Sequence, residues 1–183
     1  MSEPTSRRLI DRFPVGCPVD VLFRGVDTER WIPATVASHA HPGVWVVVGP
    51  EVHGAGGSRW FVTNGTRIRP RDAIVFKIAT AAEWQATQRD GVFPGSDADL
   101  RDGYVHLSTA AQVEGTFAKH FAGQHDLVLL DVDLAVLARI APGALRWEPS
   151  RGGALFPHVH GALPLQAIVR SRPLPADGRP GVD

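Results

Sequence analysis

The N-terminal part of the chain alternates short apolar runs with glycine, proline, aspartate and asparagine, which is the pattern of a small all-β unit. The runs are rich in β-branched and aromatic residues, and they read VDVLFRG, WIPATVASH, GVWVVVG, RWFVTN and RIRP. These runs predict a five-stranded β-barrel over residues 15–70, preceded by an N-terminal tail over residues 1–14.

The pattern changes at residues 69–73, RPRDA, where proline and charge interrupt the apolar positions. Beyond that point IVFKIAT, DLVLLDVD, LRWEP and LQAIVRSRPL predict strands. Two helices with capping boxes lie among them, one starting at Thr80 with Glu83 and one at Thr109 with Gln112. The sequence therefore predicts an α+β domain over residues 73–173, followed by a flexible tail over residues 174–183.

Composition limits the partners of such a protein. The formal net charge is zero, with 19 basic and 19 acidic side chains, so no overall field directs the chain to nucleic acid or to an anionic membrane. Cys17 is the single cysteine, which suits a reducing compartment. Neither a long apolar span nor a secretory signal is recognisable, so we expect a cytoplasmic protein without a membrane partner.

Polar side chains that can take part in binding or catalysis are concentrated in two segments of the predicted α+β domain. In the strand pattern YVHLS, alternation puts Tyr104, His106 and Ser108 on one face, while Val105 and Leu107 take the other. The second segment, RWEPSRGGALFPHVHG, follows about forty residues later and contributes Glu148, Arg151, His158 and His160. Such groups beside apolar strands predict a pocket.

The N-terminal strands resemble the small barrels of the SH3 and Tudor type in the order W-x-P-A-x-V and then G-V-W-V. The resemblance implies an architecture and no particular ligand. Its aromatic residues suit either a binding surface for a protein or RNA target or packing within the barrel, and they are Trp31, Trp45, Trp60 and Phe61.

Residues 74–170 carry a more specific resemblance, through KIATAAEW, DGYVHLSTAAQV, DLVLLDVD and FPHVHG in this order. These motifs resemble domain-of-unknown-function family 952, which is similar to the ADP-ribosyltransferase superfamily and to the RNA 2′-phosphotransferases. The resemblance implies a split, strongly bent β-core with two helices. It also implies a small-molecule nucleotide ligand, NAD, consumed as a substrate in a cleft between the sheets.

The same resemblance implies roles for single residues. Glu148 and His106 stand at catalytic positions, and the residues expected to hold the nucleotide are Lys77, Ser108, Thr109, Arg151, His158 and His160. Lys77 is a departure, because related proteins frequently have histidine there. His160 is a second departure, since the related pattern is F-P-H-x-Y-G.

Two other functions stay open. His106, His158, His160 and Glu148 could together present three nitrogens and one oxygen to Zn²⁺ or Fe²⁺. The domain could instead bind without catalysing, with Glu148 in an ion pair to Arg146 or Arg151 and with His158 in a turn. The residues alone do not decide among these alternatives.

Overall fold

The computed structural model describes residues 8–25, 28–150 and 153–175. The chain divides into two compact units, Met1–Asp72 and Ala73–Asp183. No helix among the described residues combines the length and the apolar character needed to cross a bilayer. The overall class is α+β, as predicted.

The first unit is built on one antiparallel sheet. Its elements are α1 (Leu9–Arg12), β1 (Pro18–Arg24), β2 (Glu29–Ala40), β3 (Gly43–Val48), β4 (Arg59–Val62) and β5 (Ile68–Pro70). The strands lie in the order β4-β3-β2-β1-β5. Val19, Val21, Val44 and Val46 alternate with less buried residues, so one face of the sheet forms the core.

Two predictions for this unit need correction. The five strands are present, but no pairing joins β4 to β5 among the described residues, so the predicted barrel is not closed. The predicted N-terminal tail is also partly structured. Residues Leu9–Arg12 form α1, and Leu9 and Phe13 are buried. Removing these two apolar side chains from water is favourable in free energy, which stabilises this segment.

The second unit alternates strands and helices. Its elements are β6 (Ile74–Thr80), α2 (Ala81–Asp90), β7 (Val92–Phe93), α3 (Asp97–Asp102), β8 (Val105–His106), α4 (Ala110–His120), β9 (Leu127–Asp133), α5 (Leu134–Ile140), β10 (Leu145–Pro149), β11 (Leu155–Val159), β12 (Leu163–Pro164) and β13 (Ile168–Leu174).

Two three-stranded antiparallel sheets form the body of this unit, in the orders β13-β9-β6 and β10-β11-β8. A single bridge between Phe76 and Ser108 links β6 to the residues that follow β8. Strands β7 and β12 form a separate pair. This bridge connects the two larger sheets among the described residues.

Helix α4 covers the first of these sheets. Val113 and Phe117 on its buried face join one apolar cluster with Phe76 and Ile78 of β6 and Leu129 of β9. The predicted capping box of α2 is confirmed: the hydroxyl of Thr80 accepts from the N–H of Glu83, whose carboxylate accepts in return.

Both predicted helices of this unit form, as α2 and α4, but the sequence prediction missed α3 and α5. The segment SDADLRD, expected to be a loop, forms α3, and LAVLARI forms α5. Each has a side-chain cap at its first turn, from Ser96 and Asp133 respectively, and such caps stabilise short helices. His158 lies in β11, so the turn given to it in the non-catalytic alternative is wrong.

Candidate functional site

The register of the second sheet brings three polar segments to one face. His158 of β11 lies directly opposite His106 of β8 and Arg146 of β10, and directly opposite residues in antiparallel strands share a face. Glu148 is two residues beyond Arg146 in β10 and therefore lies on the same face. The neighbouring Val105, Leu107 and Trp147 alternate to the other side and are buried.

Glu148 forms the first polar group of this face. Its Oε2 atom lies 2.8 Å from Nδ1 of His158 and 3.1 Å from Nε2 of His160. The side chain of Glu148 is 33% exposed, whereas that of His158 is 4% exposed. Both contacts fall on one oxygen, and Oε1 has no hydrogen bond from the described residues.

Asp99 of α3 forms the second polar group. It accepts five hydrogen bonds: from Nζ of Lys77 at 2.6 Å, from the N–H and hydroxyl of Ser96 at 2.8 and 2.9 Å, and from the N–H and Nδ1 of His106 at 2.9 and 2.7 Å. Lys77 and Asp99 are 4% and 2% exposed. The carboxylate thus ties β6, α3 and β8 together beneath His106.

Tyr104 links the two groups. Its ring stacks on that of His158 at a centroid distance of 4.2 Å, and it contacts the rings of His106 at 4.7 Å and His160 at 5.3 Å. The rings of His106 and His158 are 5.2 Å apart, edge to face. We call Tyr104, His106, Glu148, His158 and His160 the histidine cluster.

The surroundings of Glu148 and His158 favour different charge states for the two side chains. Burial alone would raise the pKa of Glu148, but hydrogen bonds from His158 and His160 outweigh it and lower that pKa. Burial, helped by the nearby His106 and His160, lowers the pKa of His158. At neutral pH the cluster therefore holds an ionised Glu148 beside an uncharged His158.

The second carboxylate is held still more firmly in its ionised form. Burial would raise the pKa of Asp99, but the hydrogen bond from His106 and the charge of Lys77 hold it well below its usual range. Burial and the neighbouring Asp102 and Glu148 raise the pKa of Tyr104, so its hydroxyl keeps its proton.

Comparison with known proteins shows which family the second unit matches. The sequence model described as "Protein of unknown function (DUF952)" matches residues 78–171. The chain belongs to this family. All members of the histidine cluster lie within the matched residues, and the first unit of the chain lies outside them.

Solved structures of one bacterial protein resemble the chain. The crystal structure of protein CC0527 from Caulobacter crescentus is 44% identical, with a TM-score of 0.52 over 57% of this chain and 90% of that one. Its solution NMR structure is 43% identical, with a TM-score of 0.50 over 60% and 93%. No curated protein matches the chain.

The DUF952 unit brings together four of the predicted site residues, namely His106, Glu148, His158 and His160. It separates two others from them. The hydroxyl of Ser108 lies 3.0 Å from that of Thr116, within the packing of α4, and Thr109 is the N-cap of α4. Arg151 lies outside the described residues.

Lys77 differs most from its predicted role. Its ammonium group was expected to hold pyrophosphate, but it is buried and is bound to Asp99 at 2.6 Å. Strand β6 is buried along both faces, and a lysine at the centre of such a strand is stable only when a carboxylate pairs with its charge. The ammonium group therefore positions Asp99, and phosphate binding by Lys77 receives no support from this geometry.

Sequence reasoning gave no site role to Asp99, Arg146 or Tyr104, although strand alternation put Tyr104 on the face of His106. A signal for Asp99 was present, since Ser96 and Asp99 have the S-x-x-D spacing of a capping box. Arg146 is exposed and paired opposite His158, which makes it a better placed cation than Lys77 for an anionic ligand.

The metal alternative receives no support from this arrangement. No group of three or more His, Cys, Asp or Glu side chains in residues 8–25, 28–150 and 153–175 is arranged to hold a metal ion. The reason is visible at Glu148, whose Oε2 accepts from His158 and His160, so that these nitrogens face the carboxylate and not a common centre.

The aromatic residues of the first unit are divided between packing and exposure. Trp31 and Phe61 are 36% and 40% exposed, and the guanidinium of Arg69 lies 4.2 Å from the centre of the Trp31 ring. Trp45 packs on Phe61 with centroids 4.9 Å apart. Trp60 packs on Phe23 at 5.8 Å.

Proposed function

We propose that the DUF952 unit of this chain binds NAD, breaks the bond between nicotinamide and ribose, and transfers ADP-ribose to an acceptor. The observation that carries the proposal is Glu148, an ionised and partly exposed carboxylate fixed by two histidines. Breaking this glycosidic bond builds positive charge on the ribose, and a fixed carboxylate stabilises such a transition state.

The architecture supports this proposal. The ADP-ribosyltransferase superfamily, to which the motifs are similar, is expected to have a split β-core, and here the bridge between Phe76 and Ser108 links two three-stranded sheets. Glu148 and His106 lie on one face of the second sheet, on the two strands that flank β11. The first unit, an SH3-like sheet in this proposal, recruits a macromolecular target through Trp31 and Phe61.

In this mechanism the rigid strands do most of the positioning. His106, which Asp99 holds in place, contacts the ribose, while Glu148 directs Oε1, which has no hydrogen bond from the described residues, at the developing charge. Arg146 supplies an exposed cation for the pyrophosphate. Because the carboxylate is ionised before the substrate arrives, no reorganisation is needed at the moment of bond cleavage.

The proposal is tested with purified full-length protein, by calorimetric titration with NAD and by assay of nicotinamide release. We expect Glu148→Gln to keep most of the affinity and to lose about 10²–10³ in rate, since Gln keeps the size of Glu but not its charge. His106→Ala should weaken affinity and rate together.

The outcomes separate the candidate functions. A wild type that binds NAD or ADP-ribose without releasing nicotinamide would favour a non-catalytic nucleotide-binding module. A wild type that does neither would contradict the proposal. Unchanged turnover in Glu148→Gln would contradict only the role given to this carboxylate.

A further inference from the structure

His158 presents a single basic nitrogen. Its Nδ1 lies 2.8 Å from Oε2 of Glu148, and an ionised carboxylate can only accept, so Nδ1 carries the proton of the neutral ring. The lone pair is then on Nε2, which has no hydrogen bond from the described residues. Among the described residues, the buried side-chain atoms without a hydrogen-bond partner are Nε1 of Trp147 and Nε of Arg172. Nε2 of His158 is not among these buried atoms, so it retains solvent contact.

The surroundings keep this nitrogen unprotonated and yet stabilise it once it takes a proton. The groups that face His158 are Glu148 and Arg146 from β10, His106 from β8, and Tyr104 and His160 beside it, with Asp99, Asp102 and Lys77 behind His106. Burial, helped by the nearby His106 and His160, lowers the pKa of His158. The carboxylate at Nδ1 stabilises the imidazolium formed during a reaction.

We propose that Nε2 of His158 is the general base of the reaction and that the acceptor of ADP-ribose is a hydroxyl group, that of water or of a small alcohol. This inference rests on the proposed function. It adds to that function a second catalytic residue and a class of acceptor.

The step balances as follows. The bond between C1 of the ribose and the nicotinamide nitrogen breaks, and its electron pair leaves with neutral nicotinamide. The acceptor oxygen forms a bond to the same carbon while its proton passes to Nε2 of His158. The imidazolium ring, still bound to Glu148, later returns this proton to solvent.

The presence of a base distinguishes hydroxyl acceptors from acceptors that are already anionic. A phosphate, a carboxylate or a thiolate carries its nucleophilic electron pair at neutral pH and needs no proton removed, whereas a hydroxyl needs a base as its bond forms. His158 is also only 3% exposed, beneath the ring of Tyr104. This burial favours an acceptor of the size of water or methanol.

The test compares nucleophiles that need a base with one that does not. Four proteins are incubated with NAD in buffer alone, with methanol or with azide: wild type, His158→Ala, His158→Gln and His125→Ala. The last is the control, because it alters an exposed histidine outside the cluster. Nicotinamide release and the ribosyl products are followed by chromatography. Free ADP-ribose indicates water as acceptor, and the methyl riboside indicates an alcohol.

We expect both His158 variants to lose about 10²-fold or more in the reactions with water and methanol, and azide to restore their rates toward that of the wild type. The wild-type rates with water and methanol should fall at a pH below the ordinary histidine pKa of about 6.5, because burial lowers the pKa of His158, whereas the azide rate should not fall there. Circular dichroism checks that the variants fold, and the wild-type comparison of nucleophiles does not depend on them.

Three results would overturn the inference: water reactions of His158→Ala at the rate of His125→Ala, a folded variant that azide does not rescue, or equal pH dependence of the methanol and azide reactions in the wild type. Absence of nicotinamide release from the wild type under all conditions would contradict the proposed function itself, which keeps the two failures distinct.

Discussion

Two carboxylates in the second unit each bind histidine, and they do so in opposite settings. Asp99 is 2% exposed, accepts five hydrogen bonds and neutralises a buried lysine. Glu148 is 33% exposed on its side chain and accepts two hydrogen bonds, both on one oxygen. The same chemical group is used to fix structure at one place and is left available to a ligand at the other.

The difference shows how a reactive site is held on a small sheet. Every lone pair of a fully committed carboxylate is used internally, so Asp99 has little left for a substrate but defines where His106 lies. Glu148 is fixed by fewer contacts and keeps Oε1 for a partner. We therefore expect stability to depend mainly on Asp99 and activity mainly on Glu148.

The largest effect on stability should come from Asp99→Asn. This change leaves the ammonium group of Lys77 buried without its carboxylate, and breaking a buried ion pair on one side costs about 3–5 kcal/mol. Denaturant unfolding of the full chain measures the loss.

The matched comparisons are Glu148→Gln and the double variant Lys77→Met with Asp99→Asn. We expect Glu148→Gln to cost about 1 kcal/mol or less, because Gln keeps an oxygen that accepts hydrogen bonds from His158 and His160. The double variant should recover part of the loss, because it removes the unpaired charge. If Glu148→Gln were as destabilising as Asp99→Asn, the contrast between the two carboxylates would be wrong.

A smaller effect is expected at the capping boxes of α2 and α3. Ser96→Ala and Thr80→Ala each remove an N-cap side chain, which costs about 1 kcal/mol. Only Ser96 also donates to Asp99, so Ser96→Ala should in addition lower nicotinamide release by displacing His106, whereas Thr80→Ala should not. Equal activity of the two variants would show that Asp99 does not transmit a change in α3 to the site.

The smallest effect is the pH dependence of stability that His158 contributes. Its pKa is lower in the folded state than the value of about 6.5 in an unfolded chain, so below about pH 6.5 the unfolded state binds the proton first. The free energy of unfolding should therefore decrease as the pH falls through this window. Asp99 adds nothing there, because its folded and unfolded pKa values both lie below about 4.

Unfolding of wild type, His158→Gln and His125→Ala between pH 8 and pH 5 checks this expectation. The slope with pH should be reduced in His158→Gln alone. An unchanged slope in that variant would assign the dependence to another group of the histidine cluster.

Lys77 and Asp99 illustrate what could be predicted from the sequence, which is the strand, and what could not, which is the buried ion pair. The apolar run IVFKIAT predicted β6 correctly, because a strand buried on both faces leaves a clear signal. The same run placed a lysine in that strand without showing its partner, which comes 22 residues later in a segment interpreted as a loop. Strand patterns define local faces, whereas a buried ion pair depends on how distant segments pack.

The histidine cluster was predicted in part for the same reason. Alternation placed His106 opposite the buried Val105 and Leu107, and the family resemblance brought Glu148 and His158 to the same region. Neither source specified that both nitrogen contacts of Glu148 fall on one oxygen, or that Ser108 turns toward Thr116. These features follow from strand register and from the position of α4, which no local pattern encodes.

Gly95 gives the arrangement around Asp99 a further consequence. Its φ angle is +118°, and a Cβ atom on it would lie 2.9 Å from Cβ of Asp99. Any side chain at this position would therefore push the carboxylate that orients His106. The geometry of the histidine cluster is thus sensitive to substitution at a residue that carries no functional group.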